Sequence, residues 1–136
     1  MQIPKPLPIL DDPTSAEYWA GLKRHELLIQ RCKKCNHHQF YPRVVCAKCL
    51  STNLEFVQAS GKGRVHTYTV IHQAQHPAFA ADVPYVYAII ELAEGPKVNS
   101  NVVECNPDDV VCDMLVEAVF DDVTPEVTLV KFKPAK

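Results

Sequence analysis

Glycine is scarce in this chain, which has four glycines among 136 residues. They are scattered, so the sequence contains neither a Walker loop nor a G-x-G-x-x-G turn that could hold a nucleotide. No apolar run is long enough to cross a membrane. The amino-terminal segment lacks a basic stretch followed by an apolar one. A signal peptide is therefore not expected, and we expect a cytoplasmic location.

An excess of positive charge is also missing. The chain carries 14 Lys and Arg against 16 Asp and Glu, which gives a formal net charge of −2 at pH 7. Proteins that bind nucleic acid through its backbone usually show a strongly basic surface. The composition therefore disfavours a nucleic-acid partner. An apolar content of 47% indicates a globular protein.

Four of the six cysteines form two C-x2-C pairs, namely Cys32, Cys35, Cys46 and Cys49. Two such pairs can place four thiolates around one tetrahedral Zn²⁺, and a closed shell of this kind leaves no position for water or substrate. We therefore expect a structural zinc. After the first pair, Asn36 suits a turn with positive φ. Leu50, after the second pair, suits it less well, so we expect the second turn to differ.

The other two cysteines, Cys105 and Cys112, each follow a short apolar stretch. Neither lies in a glycine-rich turn or at a clear helix N-terminus, where a thiol would be activated. We expect both to be ordinary small buried residues. No catalytic residue is predicted in this chain.

Residues 1–26 are predicted to form a proline-rich arm and a short helix over about 14–23, capped by Asp12 or Thr14. One side of the helix carries three large apolar side chains, Tyr18, Trp19 and Leu22. This side could dock on the chain's own domain. It could equally be a partner surface, because aromatic residues are enriched at interface centres.

Residues 27–57 are predicted to form a rubredoxin-like zinc ribbon with four cysteine ligands, and residues 58–136 a second, mainly β domain. The ribbon strands are expected at 27–31, 39–41 and 54–57. Further strands are expected at 63–72, 83–92, 98–103, 114–120 and 127–132. Five short strands with turns between them favour a closed five-stranded OB-fold barrel, with a five-stranded sandwich fragment as the alternative.

The order of helix, four-cysteine ribbon and β barrel resembles the zinc-ribbon/OB-fold acyl-CoA-associated family. The segments that carry the resemblance are 18–22, 26–32, Phe40-Tyr-Pro-Arg43, Val83-Pro-Tyr85 and 130–134. The resemblance implies a non-catalytic accessory subunit of a thiolase-like enzyme that acts on acyl-CoA thioesters. Such enzymes include thiolases such as benzoylsuccinyl-CoA thiolase, acyltransferases and steroid side-chain aldolases. The implied partner is a thiolase-fold catalytic subunit in a hetero-oligomer.

Coenzyme A carries phosphates, so a bound acyl-CoA would favour nearby Lys and Arg. Arg43, Lys62 and Arg64 are the expected contacts, because they should cluster where the ribbon meets the first barrel strand. Two other functions stay open. An OB-fold can bind single-stranded nucleic acid on aromatic residues, here Tyr68, Tyr85 and Tyr87. The chain could also be a protein scaffold with no ligand of its own.

Overall fold

The computed structural model describes residues 5–74 and 76–135. Residues 1–4 of the predicted arm lie outside the described residues, as does Gln75. The helix α1 spans Ala16–Lys23. The strands are β1 Leu28–Cys32, β2 His38–Gln39, β3 Leu54–Gln58, β4 Lys62–Ile71, β5 Tyr85–Leu92, β6 Lys97–Val102, β7 Leu115–Asp122 and β8 Thr128–Pro134. Among the described helices, none has the length and apolar character needed to cross a membrane.

The first three strands form a small antiparallel sheet in the order β2-β1-β3. The central strand β1 pairs Arg31 with His38 on one side and Cys32 with Leu54 on the other. This sheet brings the first C-x2-C pair beside the strand that follows the second pair. The division between ribbon and barrel at residue 57/58 stays a prediction.

The other five strands close into a barrel in the order β4-β5-β6-β8-β7. Neighbouring strands are antiparallel except for β6 and β8, which run parallel where Val102 lies opposite Phe132. In β5, buried residues alternate with more exposed ones, as expected for a strand with one face toward a core. The closed order confirms the predicted OB-fold and excludes the sandwich fragment.

The start of the helix differs from the prediction. Helix α1 begins at Ala16, after the N-cap position Ser15, whose side chain makes no capping hydrogen bond. The predicted cap at Asp12 or Thr14 is wrong because these residues form a separate turn. There the Asp12 carboxylate accepts the N–H of Thr14 at 3.1 Å, and its carbonyl accepts the N–H of Ala16 at 2.8 Å.

The apolar side of α1 packs on the chain itself. Leu22 is 0% exposed and Tyr18 is 6% exposed. The Tyr18 ring meets Phe40 of the ribbon edge-on at 5.2 Å, and burial raises the pKa of its phenol. Trp19 lies half-buried against the same core. Tyr18 and Leu22 therefore serve internal docking, and only Trp19 keeps surface for a partner.

A polar contact also joins the end of the helix to the barrel. His25 has a φ of 60°, and its Nε2 lies 3.1 Å from the Asp122 carboxylate. Its ring stacks on Phe120 with centroids 5.2 Å apart. A hydrogen bond from the Thr128 hydroxyl lowers the pKa of Asp122, and the bond from His25 lowers it further. The chain therefore leaves the helix with its path fixed against β7.

If α1 is an integral part of the core, Leu22→Ala should lower the free energy of unfolding by about 2–5 kcal/mol, because it opens a cavity under the helix. Ile9→Ala is the control, since Ile9 is 74% exposed and its removal should cost within about 0.5 kcal/mol. Urea unfolding measures both. Equal, small losses would contradict the internal docking of the helix.

Candidate metal centre and neighbouring grooves

The structure brings the sulfur atoms of Cys32, Cys35, Cys46 and Cys49 within 4.8 Å of one another. The Cys32–Cys49 and Cys35–Cys46 sulfur distances are both 3.6 Å. Zn²⁺ with tetrahedral sulfur ligands would hold those atoms about 3.8 Å apart. All four cysteines are free thiols rather than disulfides. The donor set and its geometry therefore fit one zinc ion held by four thiolates.

Both C-x2-C pairs are followed by the same backbone turn. Asn36 has a φ of 63° and Leu50 a φ of 65°. The N–H of Asn36 donates to the Cys32 carbonyl at 2.8 Å, and the N–H of Leu50 donates to the Cys46 carbonyl at 2.9 Å. The expectation of a different second turn is therefore wrong. A positive φ costs leucine about 1–2 kcal/mol. This cost is accepted at Leu50 because the turn directs the sulfurs of Cys46 and Cys49 toward one point.

Backbone N–H groups point at the sulfurs. The N–H of Lys48 lies 3.3 Å from the Cys46 sulfur. Hydrogen bonding from the Cys35 backbone lowers the pKa of Cys32 to about 6, against the opposing effect of burial. The thiolate is the form that binds metal. Against a backbone hydrogen bond from His37, burial and hydrogen bonds from the other cysteine side chains raise the pKa of Cys35 to about 11. The backbone contacts therefore favour the thiolate at Cys32 but not at every ligand.

Two buried glutamines hold the loop that leads to the second pair. The Gln30 side chain accepts the N–H of Arg43 at 2.7 Å and donates to the Arg43 carbonyl at 2.9 Å. Gln39 donates to Gln30 at 2.8 Å and accepts the N–H of Ala47 at 2.8 Å. The backbone N–H and carbonyl groups of the loop are thus hydrogen-bonded by side chains instead of by a neighbouring strand.

Sequence reasoning missed these glutamines. The available signal was a single uncharged polar residue, Gln30, inside the otherwise apolar start of strand β1. The position of Gln30 opposite Gln39 across the sheet is visible only in the structure. A buried amide between two cysteine pairs has to find partners, and the nearby irregular loop offers them.

The three residues expected to contact coenzyme A do not line one common groove. Arg43 lines a groove between the ribbon and the β5–β6 turn. Lys62 and Arg64 line a different depression at the edge of β4. There the Arg64 guanidinium lies 3.2 Å from Glu91 and 3.8 Å from Asp113, so its charge is already compensated. Lys62 and Arg64 therefore line a different surface from Arg43.

The remaining cysteines differ from the expectation in part. Cys112 is exposed, whereas Cys105 is half-buried. Cys112 lies in the turn before β7 instead of in a strand, so its side chain has no core to enter. Burial raises the pKa of the Cys105 thiol, and the charge of Asp109 adds to the effect. The environment of Cys105 therefore does not favour a reactive thiolate.

The three tyrosines considered for nucleic-acid stacking face different sides of the barrel. Tyr68 lies opposite the fully buried Ala88 and packs against the core. Tyr85 and Tyr87 are two residues apart on β5, where Tyr87 is 42% exposed. Side chains two apart on a strand share a face, and that face is not the one of Ala88. The three rings therefore do not form one stacking platform.

Two family models match the chain. The rubredoxin-like zinc ribbon domain of ChsH2 matches residues 19–55, and the C-terminal OB-fold domain of ChsH2 matches residues 56–121. The chain belongs to the ChsH2 zinc-ribbon/OB-fold family. Membership confirms the resemblance noted in the sequence and agrees with the sulfur cluster and closed barrel of the structure.

Relatives within the ChsH2 family include a DUF35 domain-containing scaffold protein of Methanocaldococcus jannaschii. It is 43% identical over 114 residues, which cover 82% of this chain and 80% of that protein. A probable enoyl-CoA hydratase alpha subunit of Thermomonospora curvata is 37% identical over 121 residues. That match covers 89% of this chain and 37% of the hydratase subunit.

Two further comparisons concern multi-subunit enzymes. The benzoylsuccinyl-CoA thiolase subunit BbsA of Geobacter metallireducens is 32% identical over 93 residues, covering 68% of this chain and 60% of BbsA. A solved structure described as Ltp2-ChsH2(DUF35) aldolase matches with a TM-score of 0.85 and 35% identity. The match covers 95% of this chain and 100% of that chain.

We expect one zinc per chain in the wild-type protein, measured by elemental analysis. Cys35→Ser should release the metal and unfold the ribbon while the barrel keeps its strands, because metal binding supplies folding free energy to the small module. Cys112→Ser is the control, since that thiol is exposed and outside the cluster. Folded wild-type protein with well under one zinc per chain would refute the assignment.

The glutamine network gives a separate prediction. Gln30→Leu should destabilise the zinc-loaded protein by about 1–3 kcal/mol, because it leaves backbone groups of Arg43 without partners. Gln58→Leu is the matched control, since Gln58 is exposed at the end of β3. Urea unfolding in the presence of zinc compares the two. A loss in Gln58→Leu as large as in Gln30→Leu would show that the network is not responsible.

Proposed function

We propose that this chain is a non-catalytic accessory subunit of a thiolase-like enzyme that acts on acyl-CoA thioesters. The observation that carries the proposal is its similarity to the ChsH2(DUF35) chain of the aldolase, at 35% identity over almost the whole of both chains. The named hydratase and thiolase subunits among its relatives support the same role. The thiol ligands of the metal centre suit a reducing compartment, and we place the protein in the cytoplasm.

The chemistry of the described residues is consistent with a catalytic partner. Four thiolates fill the coordination shell of a zinc, which leaves no open site for water or substrate. Within residues 5–74 and 76–135, neither Cys105 nor Cys112 hydrogen-bonds to a histidine. A thiolase-type reaction needs a nucleophile, a base and an oxyanion hole placed together. We therefore assign that machinery to the thiolase-fold subunit.

A groove of about 450 Å³ lies where α1, the ribbon and the barrel meet. We call it the helix groove, and it is lined by Tyr18, Trp19, Phe40, Tyr41, Asn99 and Lys131, among others. Tyr41 is 47% exposed, and its hydroxyl accepts the N–H of Asn99 at 3.3 Å. Half-exposed aromatic side chains with a polar surround are typical anchors of protein interfaces.

The helix groove is the surface that we propose for the catalytic subunit. A partner seated there would contact the helix, the ribbon and strands β6 and β8 at once. Such contact would hold both halves of this chain against the enzyme. The rims are polar, and Lys131 in the groove is paired with Asp121 at 2.8 Å. The groove therefore offers aromatic area with two charged side chains in its lining, the paired Lys131 and Asp12, whose carboxylate accepts the N–H of Thr14.

The test is co-expression with a candidate thiolase-fold subunit from the native source. We expect co-elution on size exclusion, and thioester turnover by the complex but not by this chain alone. Trp19→Ala and Tyr41→Ala should each weaken assembly by about 2 kcal/mol or more, roughly 30-fold in affinity, because interface anchors cost that much when truncated. Leu115→Ala is the control, exposed at 67% and outside the helix groove.

Zinc content and thermal unfolding of the variants separate docking from folding. An assembly defect in Trp19→Ala with zinc retained supports the groove as the interface. If the catalytic subunit has full activity alone and never co-elutes with this chain, the accessory role is refuted. Assembly without any effect of this chain on turnover would leave the protein as a scaffold only.

A further inference from the structure

A second groove, of about 630 Å³, lies between the ribbon and the turn that joins β5 to β6. We call it the ribbon groove. Its lining is mostly polar and includes His37, His38, Arg43, Lys48, Glu94 and Lys97. Five of these six residues can donate hydrogen bonds to an anion, and three carry a permanent positive charge. Zn²⁺ with four thiolates carries a net charge of −2, and its ligand Cys35 lines the same groove, so part of this positive charge offsets the metal centre.

The cations of the ribbon groove lack ion-pair partners. Among the described residues, Arg43, Lys48 and Lys97 form no salt bridge. Some other described cations are paired, as Lys131 is with Asp121 and Arg64 with Glu91. Four further lysines of the described residues also form no salt bridge, namely Lys23, Lys33, Lys34 and Lys62. None of the three cations in the ribbon groove is paired with a carboxylate, so their donors remain available to a bound anion on this concave surface.

The backbone at Arg43 is fixed in advance. Both its N–H and its carbonyl are hydrogen-bonded to the buried Gln30 side chain, at 2.7 and 2.9 Å. A side chain that starts from a fixed backbone loses less freedom on binding. His37 and His38 are half-buried on the same wall. The wall therefore combines an exposed guanidinium on a fixed backbone with two ring N–H donors.

One carboxylate opposes an anion in this groove. Glu94 accepts the N–H of Ser60 through one oxygen at 2.8 Å. Its other oxygen, Oε1, is buried and has no hydrogen-bond partner. A buried carboxylate oxygen without a donor is costly unless a donor arrives with a ligand or a cation is nearby. Its negative charge and that of the zinc–thiolate cluster both oppose an anion, so binding depends on hydrogen bonds from the three cations rather than on an excess of positive charge.

We propose that the ribbon groove binds the phosphate groups of the nucleotide part of a coenzyme A thioester. This proposal rests on the proposed function for the acyl-CoA class of ligand. Guanidinium and ammonium groups bind phosphate by charge-assisted hydrogen bonds. Phe40 also lines the groove and offers a ring on which a purine can pack. The site comprises Arg43 of the residues first expected from the sequence, with Lys48 and Lys97 in place of Lys62 and Arg64.

In the experiment, the zinc-loaded full chain is titrated separately with adenosine 3′,5′-bisphosphate and with coenzyme A, and binding is measured by calorimetry. Arg43→Gln and Lys97→Gln should each weaken binding about tenfold or more, the loss of one charged hydrogen bond. Arg64→Gln is the matched control and should stay within about twofold, because Arg64 already pairs with Glu91. Glu94→Gln should strengthen binding, since it removes the opposing charge. Added salt should weaken it.

Several outcomes would overturn the proposal. These are no saturable binding by the wild-type chain, an equal loss in Arg64→Gln, or equal affinity for inorganic phosphate and the nucleotide. Assembly with the catalytic subunit is measured on the same variants. If Arg43→Gln abolishes co-elution while the nucleotide never binds, the groove takes an acidic segment of the partner and the phosphate assignment fails. If the nucleotide binds as expected but no thiolase-fold subunit co-elutes, the accessory function fails while the groove assignment stands.

Discussion

The meeting of four cysteine sulfurs is the constraint on which the rest of the ribbon depends. The ribbon is a three-stranded sheet with a two-residue edge strand, so it can bury little apolar surface of its own. Its cysteines bring the two irregular turns within 4.8 Å of each other, sulfur to sulfur. The positive φ of Leu50 shows that this requirement outweighs local conformational preference. A module of this size needs a metal to supply the folding free energy that its core cannot.

The order imposed at the sulfurs extends outward through Gln30 and Gln39. These side chains hydrogen-bond to backbone groups of Arg43, Val45 and Ala47. The segment around Cys46 is therefore fixed in place although it is not part of a strand. On the opposite face of the sheet, the fully buried Ile29 packs into the cluster that includes barrel residues such as Phe132. The ribbon is thus fixed to the barrel by apolar packing and to its own loop by amides.

The architecture could be predicted from sequence because its signals are local. Cysteine spacing identifies the metal centre, and a run of β-branched and aromatic residues identifies β5 within about two residues at its start. Other features depend on distant parts of the chain. The residues that neighbour Arg64 in the sequence do not indicate that Glu91 and Asp113 neutralise its charge. The role of Gln30 requires knowing which loop lies over it. The missed helix cap follows from an Asp12 turn that competes with the helix for the same backbone N–H groups.

Phe40 stands between the two grooves and gives the proposed functions a common geometry. Its ring lines both the helix groove and the ribbon groove, and it contacts Tyr18 of the helix at 5.2 Å. The segment that carries it runs between the two C-x2-C pairs and is tied to the sulfur cluster by Gln39. A catalytic subunit in the first groove and a nucleotide in the second would therefore share one wall. On this arrangement, the ribbon sets the distance between a docked enzyme and its thioester, and loss of the metal would remove both surfaces together.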